Sequence, residues 1–325
     1  MDLVTGGAGF LGRHVVHALR GAGRPVRILD IADPRDLPAD VERRVGSVTD
    51  PATVRDAMDG VRRVFHLAAI PELWARNKGA FDRVNRLGTQ MVLDAARSTP
   101  TLERFVHTSS ETVLVPQAGR PVPEHLDESL DLTPDEVIGA YARSKREAEM
   151  AVLAAAREGF PATVVIPTMP LGPGDASRTP PTRMVADMLA GRTPAAIDAM
   201  MNAVDVRDAA QGHLLAATHG RSARRYLLAG ENITMPAFMD ALSHAADTPM
   251  PNRVIPLWLA RTVATVDEFV ADRVTGRAPR APRDGVRIAC RQRPFDGVRA
   301  RRELDFRPRP LAATLGDTVA WLHQA

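Results

Sequence analysis

The stretch Thr5-Gly6-Gly7-Ala8-Gly9-Phe10-Leu11-Gly12 decides the fold class, because it joins a short β-branched run to a segment with helical spacing. Gly6, Gly9 and Gly12 fit the spacing G-x-x-G-x-x-G. The early glycines allow a tight turn in which backbone N–H groups approach a pyrophosphate, and the last allows close packing of helix on strand. Glycines also simply end strands, but this position in the first strand–helix unit favours a dinucleotide site.

Short β-branched runs alternate with helical segments through the first half of the chain. The strand candidates are 3–5, 26–30, 64–68, 105–109 and 163–167, and the helical segments are 11–20, 51–58, 82–97 and 140–157. This alternation predicts βαβ units, and therefore an α/β fold with a doubly wound, mostly parallel Rossmann sheet covered by helices on both faces.

The pattern changes after residue 167, where five prolines within 167–181 predict a break in regular structure. A strand at 203–206 and a helix from 208 to about 218 follow, and the chain is mainly helical beyond 230. We therefore predict a nucleotide-binding domain over 1–166, to which the chain returns at about 202–230. The remainder of 167–325 is predicted to be a smaller, mainly substrate-binding lobe.

Composition narrows the partners. The net charge is +3 and the pI about 9.6, but the arginines are scattered among acids, which argues against a nucleic-acid partner. No apolar run is long enough to cross a bilayer, so we expect no membrane span. The single cysteine, Cys290, fits a reducing cytoplasm, where we expect the protein to act on a small-molecule substrate.

Asp30 ends the second strand candidate, about twenty residues beyond the glycine turn. A carboxylate there can hold both ribose hydroxyls of NAD and repels the 2′-phosphate of NADP. A polar residue that merely ends a strand is the alternative. Ile31 and Ala32 follow without an arginine, although Arg35 is near in sequence. The sequence thus favours NAD, with NADP the less favoured cofactor.

Tyr141 and Lys145 lie four residues apart on a helical stretch, and therefore on one face. The chain has only two tyrosines, and Lys78 is its only other lysine, which disfavours the alternative of a chance surface pair. A neighbouring ammonium is expected to lower the phenol pKa from about 10. Ser109 and Ser110 end a strand at the carboxyl edge, where open α/β sheets bind ligands. Either hydroxyl could contact the substrate oxygen that Tyr141 protonates.

With these motifs, 65–69 (Phe-His-Leu-Ala-Ala) and 84–89 (Val-Asn-Arg-Leu-Gly-Thr), the sequence resembles the extended short-chain dehydrogenases along essentially its whole length. The narrower resemblance is to the dihydroflavonol-reductase-like branch and its hopanoid-associated sugar epimerase members, through 73–76, 138–145 and 212–216. Family members commonly form homodimers through two helices of each nucleotide-binding domain, here 82–97 and 140–157.

The resemblance also implies residue roles. Ser110 polarises the substrate, Tyr141 is the acid/base, and Lys145 activates it and contacts a ribose. The implied cofactor-binding residues are Gly6, Gly9, Phe10, Leu11, Gly12, Asp30, Ser47, Val48, Leu67, Ala68, Ala69, Asn85, Tyr141, Lys145 and Pro167. No metal ligand is implied.

Three positions depart from the residues that relatives carry, one at the cofactor site and two at the substrate site. Ser47 stands where many relatives carry an aspartate that contacts adenine. Met201 stands where nucleotide-sugar epimerases carry an arginine that grips the substrate diphosphate. Glu111 matches one carboxylate of the dehydratase Thr-Asp-Glu motif, whereas Thr112 replaces the other. Glu111 either caps a loop or faces solvent, or it lies at the pocket rim and orients a substrate hydroxyl or moves a second proton.

These observations favour an NAD(P)-dependent oxidoreductase that interconverts a carbonyl and a secondary alcohol on a small, fairly apolar substrate. The first alternative is a sugar epimerase or dehydratase that retains NAD and recycles the hydride. The second is a redox sensor that binds dinucleotide without turnover, although such a sensor needs no tuned phenol.

Overall fold

The computed structural model describes residues 1–34, 37–193, 195–251 and 253–324. The strands are β1 (Asp2–Thr5), β2 (Val26–Asp30), β3 (Glu42–Val45), β4 (Arg63–His66), β5 (Arg104–Thr108), β6 (Ala162–Pro167), β7 (Met169–Leu171), β8 (Met200–Asp205), β9 (Arg225–Leu228) and β10 (Glu231–Thr234).

The helices are α1 (Phe10–Gly21), α2 (Pro51–Ala57), α3 (Gly79–Phe81), α4 (Gly88–Arg97), α5 (Gly139–Arg157), α6 (Pro180–Leu189), α7 (Val206–Thr218), α8 (Met235–Ala246), α9 (Leu257–Val270), α10 (Arg283–Ala289), α11 (Val298–Leu304) and α12 (Leu311–Gln324). Two π-helical segments, Asp82–Leu87 and Ala271–Thr275, continue α3 and α9, and a 3-10 helix spans Glu111–Leu114.

The main sheet has seven strands in the order β3-β2-β1-β4-β5-β6-β9, and every neighbouring pair is parallel. Successive strand residues alternate between two cores, as Leu3 and Val4 illustrate: the first packs with α2, α4 and α5, and the second with α1 and α7. Helices therefore cover both faces, which confirms the predicted doubly wound Rossmann fold. The strand order reverses between β1 and β4, which opens a ligand crevice at the carboxyl ends of the strands.

A second sheet, in the order β10-β8-β7, has its own apolar core with α6, α8 and α12. The strand expected at 203–206 is β8, which spans Met200–Asp205 and belongs to this small sheet. The chain then returns to the main sheet through α7, which packs on α1, and through β9. The domain boundary at residues 166 and 167 stays a prediction.

Within 167–181 the expected break in regular structure is confined to 168 and 172–179, and every proline there except Pro173 lies in a strand or a helix. Pro170 lies in β7, an edge strand, where a residue without an N–H can be accommodated. Pro180 and Pro181 open α6, and proline at the first helical position needs no hydrogen-bond partner. None of the helices in the described ranges is long and apolar enough to cross a membrane.

Candidate active site

The glycine turn between β1 and α1 is packed so closely that side chains are excluded. Gly6 has φ 74°, and a Cβ atom there would lie 2.7 Å from the backbone N of Ala68 in the loop after β4. A Cβ atom at Gly12 would lie 2.0 Å from the carbonyl oxygen of Gly6. The turn therefore holds β1, α1 and the β4 loop at backbone contact.

The N-terminus of α1 opens onto this turn. Gly9 is the N-cap residue and offers no side chain to the N–H groups of the first turn, which includes Phe10, Leu11 and Gly12. Uncapped N–H groups and the helix dipole together favour a phosphate group. The cradle has the geometry to accept a pyrophosphate, and dinucleotide binding by these residues stays a prediction.

Asp30 lies at the carboxyl end of β2, directly beside the glycine turn. Its carboxylate accepts hydrogen bonds from the backbone N of Ala8 (2.9 Å) and of Ala32 (3.0 Å). Arg13, which the sequence analysis did not single out, donates from Nε to the carbonyl oxygen of Ala8 (2.7 Å). Arg35 lies outside the described residues.

The predicted adenine contacts follow β3. The Ser47 hydroxyl is hydrogen-bonded to that of Thr49 (2.8 Å) and accepts from the Thr49 N–H. Val48 is buried, and a Cβ atom at Gly88 would lie 2.8 Å from one of its methyl groups. The segment is therefore held firmly against the start of α4.

A chain of hydrogen bonds connects the glycine-turn strand to β4. The Thr5 hydroxyl lies 2.7 Å from Nδ1 of His66 and accepts from the N–H of Ala68, and the N–H of Leu67 donates to the Thr5 carbonyl. Nε2 of His66 lies 2.9 Å from the Thr89 hydroxyl. Burial lowers the His66 pKa to about 3, so the imidazole is neutral and bridges two hydroxyls. Ala69 follows in the same loop and is half-buried.

The chain continues through Asn85 to the helix that carries the tyrosine. The Thr89 hydroxyl donates to the Asn85 carbonyl (2.5 Å), and the Asn85 amide donates to Ser144 Oγ (3.1 Å). Ser144 in turn donates to the Tyr141 carbonyl (2.8 Å), while Asn85 also accepts from the N–H of Ile70 (2.8 Å). Asn85 therefore fixes the β4 loop and the first turn of α5 together.

The two serines at the end of β5 face different partners. Ser109 donates to the buried Glu149 on α5 (2.5 Å), which also pairs with Arg146. Ser110 instead lies close enough to the phenol of Tyr141 to lower its pKa, and it accepts from the Thr112 hydroxyl (3.1 Å). The structure thus brings Ser110, and not Ser109, to Tyr141.

Tyr141 does not have the lowered pKa that the sequence led us to expect. Burial raises its pKa to about 12, the nearby Glu111 acts in the same direction, and only Ser110 opposes them. Lys145 does not supply the expected charge at the phenol, because its ammonium donates to the Thr108 carbonyl oxygen (2.5 Å). The isolated site therefore holds a protonated phenol at neutral pH.

Lys145 is buried on the same face of α5. Burial lowers its pKa to about 8, although Glu149 opposes the shift. Thr108, whose carbonyl receives the ammonium, is itself fixed by a hydrogen bond from its hydroxyl to His213 on α7 (2.9 Å). The lysine is therefore anchored between β5 and α5, one helical turn from Tyr141.

Glu111 neither faces open solvent nor caps a helix. Burial raises its pKa to about 7, against the opposing hydrogen bond from Ser110 (3.3 Å). The actual cap of the 3-10 helix is Ser110, whose oxygen accepts from the N–H of Thr112. A carboxyl group that titrates near neutrality thus lies beside the serine and the tyrosine.

Two further positions singled out in the sequence, Pro167 for the cofactor and Met201 for the substrate, are both buried. Pro167 is buried at the end of β6, where it pairs with Leu228 of β9. Met201 is buried in the core of the small sheet, opposite Ile233 of β10. The position at which relatives carry an arginine is therefore an apolar packing position here.

Comparison with known proteins supports this picture. Residues 3–229 match the model of the NAD dependent epimerase/dehydratase family. A putative dihydroflavonol 4-reductase of Synechocystis is 36% identical, with 98% of this chain and 93% of that protein covered. Sterol demethylase protein B of Methylococcus capsulatus is 31% identical, with 99% of this chain and 98% of that protein covered. The crystal structure of gox2253 is 33% identical, with a TM-score of 0.85 over 100% and 98%.

The chain therefore belongs to the NAD-dependent epimerase/dehydratase family, as the resemblance indicated. It is an NAD-dependent enzyme of the short-chain dehydrogenase/reductase type, which confirms the enzyme prediction over the sensor alternative. A UDP-glucose 4-epimerase of Thermus thermophilus in complex with NAD shares the fold, at 22% identity and a TM-score of 0.79 over 100% and 99%.

Two glycines of α1 test the role of the turn. We expect Gly12→Ala to abolish NADH binding and destabilise the protein, because its methyl group would overlap the Gly6 carbonyl. Gly21→Ala is the matched control, since nothing lies within 4 Å of a Cβ atom there. That change should preserve binding and stabilise the helix by about 0.5–1 kcal/mol. Fluorescence titration with NADH and urea denaturation measure both, and equal affinity of the two variants would contradict the assigned cradle.

Proposed function

We propose that the protein is an NAD(H)-linked carbonyl reductase or secondary-alcohol dehydrogenase for a small, fairly apolar substrate. The observation that carries the proposal is the cluster of Ser110, Tyr141 and Glu111 at the carboxyl end of β5. This cluster is joined to the glycine turn by the hydrogen-bond chain through Asn85.

Each residue then has a role. NAD supplies the hydride donor or acceptor when it is bound between the glycine turn and the cluster. Tyr141 donates its proton to the carbonyl oxygen as the hydride reaches the carbon, and Ser110 hydrogen-bonds the same oxygen. Because the phenol pKa is about 12, the site is set to donate a proton at neutral pH. Lys145, with its pKa near 8, lies one helical turn away, where its ammonium fixes the Thr108 carbonyl at the end of β5.

An apolar substrate is supported by the small lobe and by the relatives. Met201 offers no charge-assisted bond to a diphosphate. The relatives named above carry the names of a dihydroflavonol reductase and a sterol demethylase protein. A further relative, 31% identical over 93% of this chain and 90% of its own, is a ketoreductase of Stigmatella aurantiaca for a farnesyl dihydroquinoline oxide. The sterol and the farnesyl group in two of these names are largely apolar.

We also propose NAD rather than NADP as the cofactor, because the Asp30 carboxylate lies beside the turn where an adenosine ribose would bind. The homodimer through 82–97 and 140–157 is a proposal as well, supported by the partly exposed Leu87 and Met150. The cytoplasmic location inferred from the composition stays a prediction.

Tyr141→Phe deletes only the transferable proton, so we expect reductase activity to fall by about 10²–10⁴-fold while NADH binding persists. The assay follows NADH oxidation with a 3-ketosteroid as the probe substrate. Tyr226→Phe is the control. The only other tyrosine is buried in β9, at the edge of the main sheet, and its hydroxyl donates to Glu303.

Two results would overturn this assignment. One is a Tyr141→Phe variant that keeps more than a tenth of the wild-type rate. The other is conversion of UDP-glucose to UDP-galactose without net oxidation of NADH, which would establish the epimerase alternative.

Glu111→Gln keeps the size of the side chain and removes its titration. If Glu111 in its acid form orients the substrate or moves a second proton, wild-type kcat/KM for reduction declines as pH rises through about 7. We expect the pH profile of Glu111→Gln to lack this inflection, and its kcat to be more than about tenfold lower than that of the wild type. The control is Glu124→Gln, because Glu124 lies in the same segment between β5 and α5 but is exposed. If kcat and KM of Glu111→Gln stay within about twofold of the wild-type values across the pH range, Glu111 has no role in catalysis. A twofold change corresponds to under ~0.5 kcal/mol of transition-state stabilisation.

Cofactor choice is tested at Asp30. We expect NADH to bind more tightly than NADPH, since the carboxylate bonds ribose hydroxyls and repels a 2′-phosphate. Asp30→Ala should weaken the binding of NADH. It should also lower the ratio of the NADPH to the NADH dissociation constant by about tenfold or more, which corresponds to ~1.4 kcal/mol. Dissociation constants from calorimetry decide the point, and tighter binding of NADPH by the unmodified protein would refute it.

A further inference from the structure

Helix α9 carries an apolar face, interrupted by the exposed Thr262, that no described residue covers. Trp258, Val263, Val266, Phe269 and Val270 are all exposed, Trp258 by 68% and Phe269 by 61%. At 100° per residue these five side chains fall within an arc of about 140°. Val274, in the π-helical segment that follows, is 75% exposed. An uncovered apolar surface that includes two aromatic side chains marks an interaction site.

The opposite face of α9 is fixed to the protein. Ala260 and Ala264 are buried there, and the acidic residues of the segment bind inward. Asp267 accepts from the N–H of Ala281 (3.1 Å), and Glu268 accepts from the N–H of Arg283 (2.8 Å). Asp272 accepts from Nε1 of Trp74 (2.8 Å). The negative charge of this segment is therefore taken up by the protein itself.

The positive charge is left at the surface. Five exposed arginines of α9 and the segment that follows it have guanidinium groups without a carboxylate partner among residues 1–34, 37–193, 195–251 and 253–324: Arg261, Arg273, Arg277, Arg280 and Arg283. An apolar helical face with a tryptophan, bordered by arginines, has the composition of helices that lie in the interface of anionic membranes.

We propose that α9 and its π-helical continuation dock the protein peripherally on an anionic phospholipid bilayer. The apolar side chains would enter the acyl boundary, and the arginines would contact the headgroup phosphates. A second copy of the chain fits this surface poorly. A twofold contact places the same patch on both subunits, so the arginines would face one another with no acid to pair them.

The docking face adjoins the proposed active site. Trp74, bonded to Asp272, belongs to the loop that follows β4 and Ala69. The Asp284 carboxylate of α10 packs over Gly139, two residues before Tyr141, where a Cβ atom would lie 2.2 Å from it. If the proposed function is correct, docking on lipid brings the site next to a source of apolar substrate. Membrane binding itself does not depend on turnover, so the two proposals fail separately.

The test is co-sedimentation of the whole protein with two kinds of vesicle. One contains phosphatidylcholine alone, and the other also contains about 30 mol% phosphatidylglycerol, which gives the surface the negative charge that attracts basic segments. We expect binding to the anionic vesicles, weakened at high salt, and a blue shift of tryptophan emission. Val266→Ser/Phe269→Ser should lower the partition coefficient at least tenfold, since two apolar side chains no longer insert. Val45→Ser is the matched control, because Val45 is equally exposed at the edge of the main sheet.

Arg273→Gln/Arg277→Gln should reduce binding and its salt dependence while leaving sedimentation without vesicles unchanged. All four changed positions are exposed, and circular dichroism confirms that the variants fold. The proposal is overturned if the wild type does not prefer anionic vesicles, or if the Val266/Phe269 variant binds as the wild type does. It is equally overturned if sedimentation equilibrium shows a dimer that this variant dissociates, because α9 would then be a subunit interface.

Discussion

The active-site geometry depends on a single directed chain of hydrogen bonds that runs through the interior from β1 to α5. It passes from the Ala68 N–H through Thr5, His66 and Thr89 to the backbone of Asn85, and from the Asn85 amide through Ser144 to the Tyr141 carbonyl. Each hydroxyl donates once and accepts once, so the chain is complete only with a neutral imidazole at its centre. Buried polar groups joined in this way are costly to disturb, and they hold the cofactor turn and the tyrosine at a fixed separation.

The electrostatics of the site follow from burial rather than from a charge pair. Tyr141 and Glu111 are both held towards their protonated forms, and Lys145 towards its neutral form. All three shifts have desolvation as their largest cause. In a chain whose surface is dominated by arginine, a buried lysine is the cation whose charge can still change near neutrality. The site thus combines groups that titrate at about 7 and 8 with a phenol that keeps its proton.

The two parts of the chain use charge in contrasting ways. In the nucleotide-binding part, buried carboxylates such as Glu149 and Asp2 are matched by arginines, so charge serves to fix helices and strands. Around α9 the carboxylates instead cap backbone N–H groups and an indole, and the arginines are left at the surface beside exposed apolar side chains. This asymmetry is invisible in the net charge of the chain, which is only +3.

The sequence by itself determined the fold class, the glycine turn and the position of Tyr141 and Lys145 on one face of a helix, because these depend on local spacing: period, turn residues and one helical turn. It did not reveal β3 or β9, nor β7 and α6, whose prolines lie at an edge strand and a helix start. Residue spacing left Ser109 and Ser110 open, and the family resemblance favoured Ser110. The direction of the Tyr141 pKa and the exposure of α9 were decided only by tertiary structure. Each depends on which distant groups surround a side chain and how much water they exclude, and neither quantity is encoded in neighbouring residues.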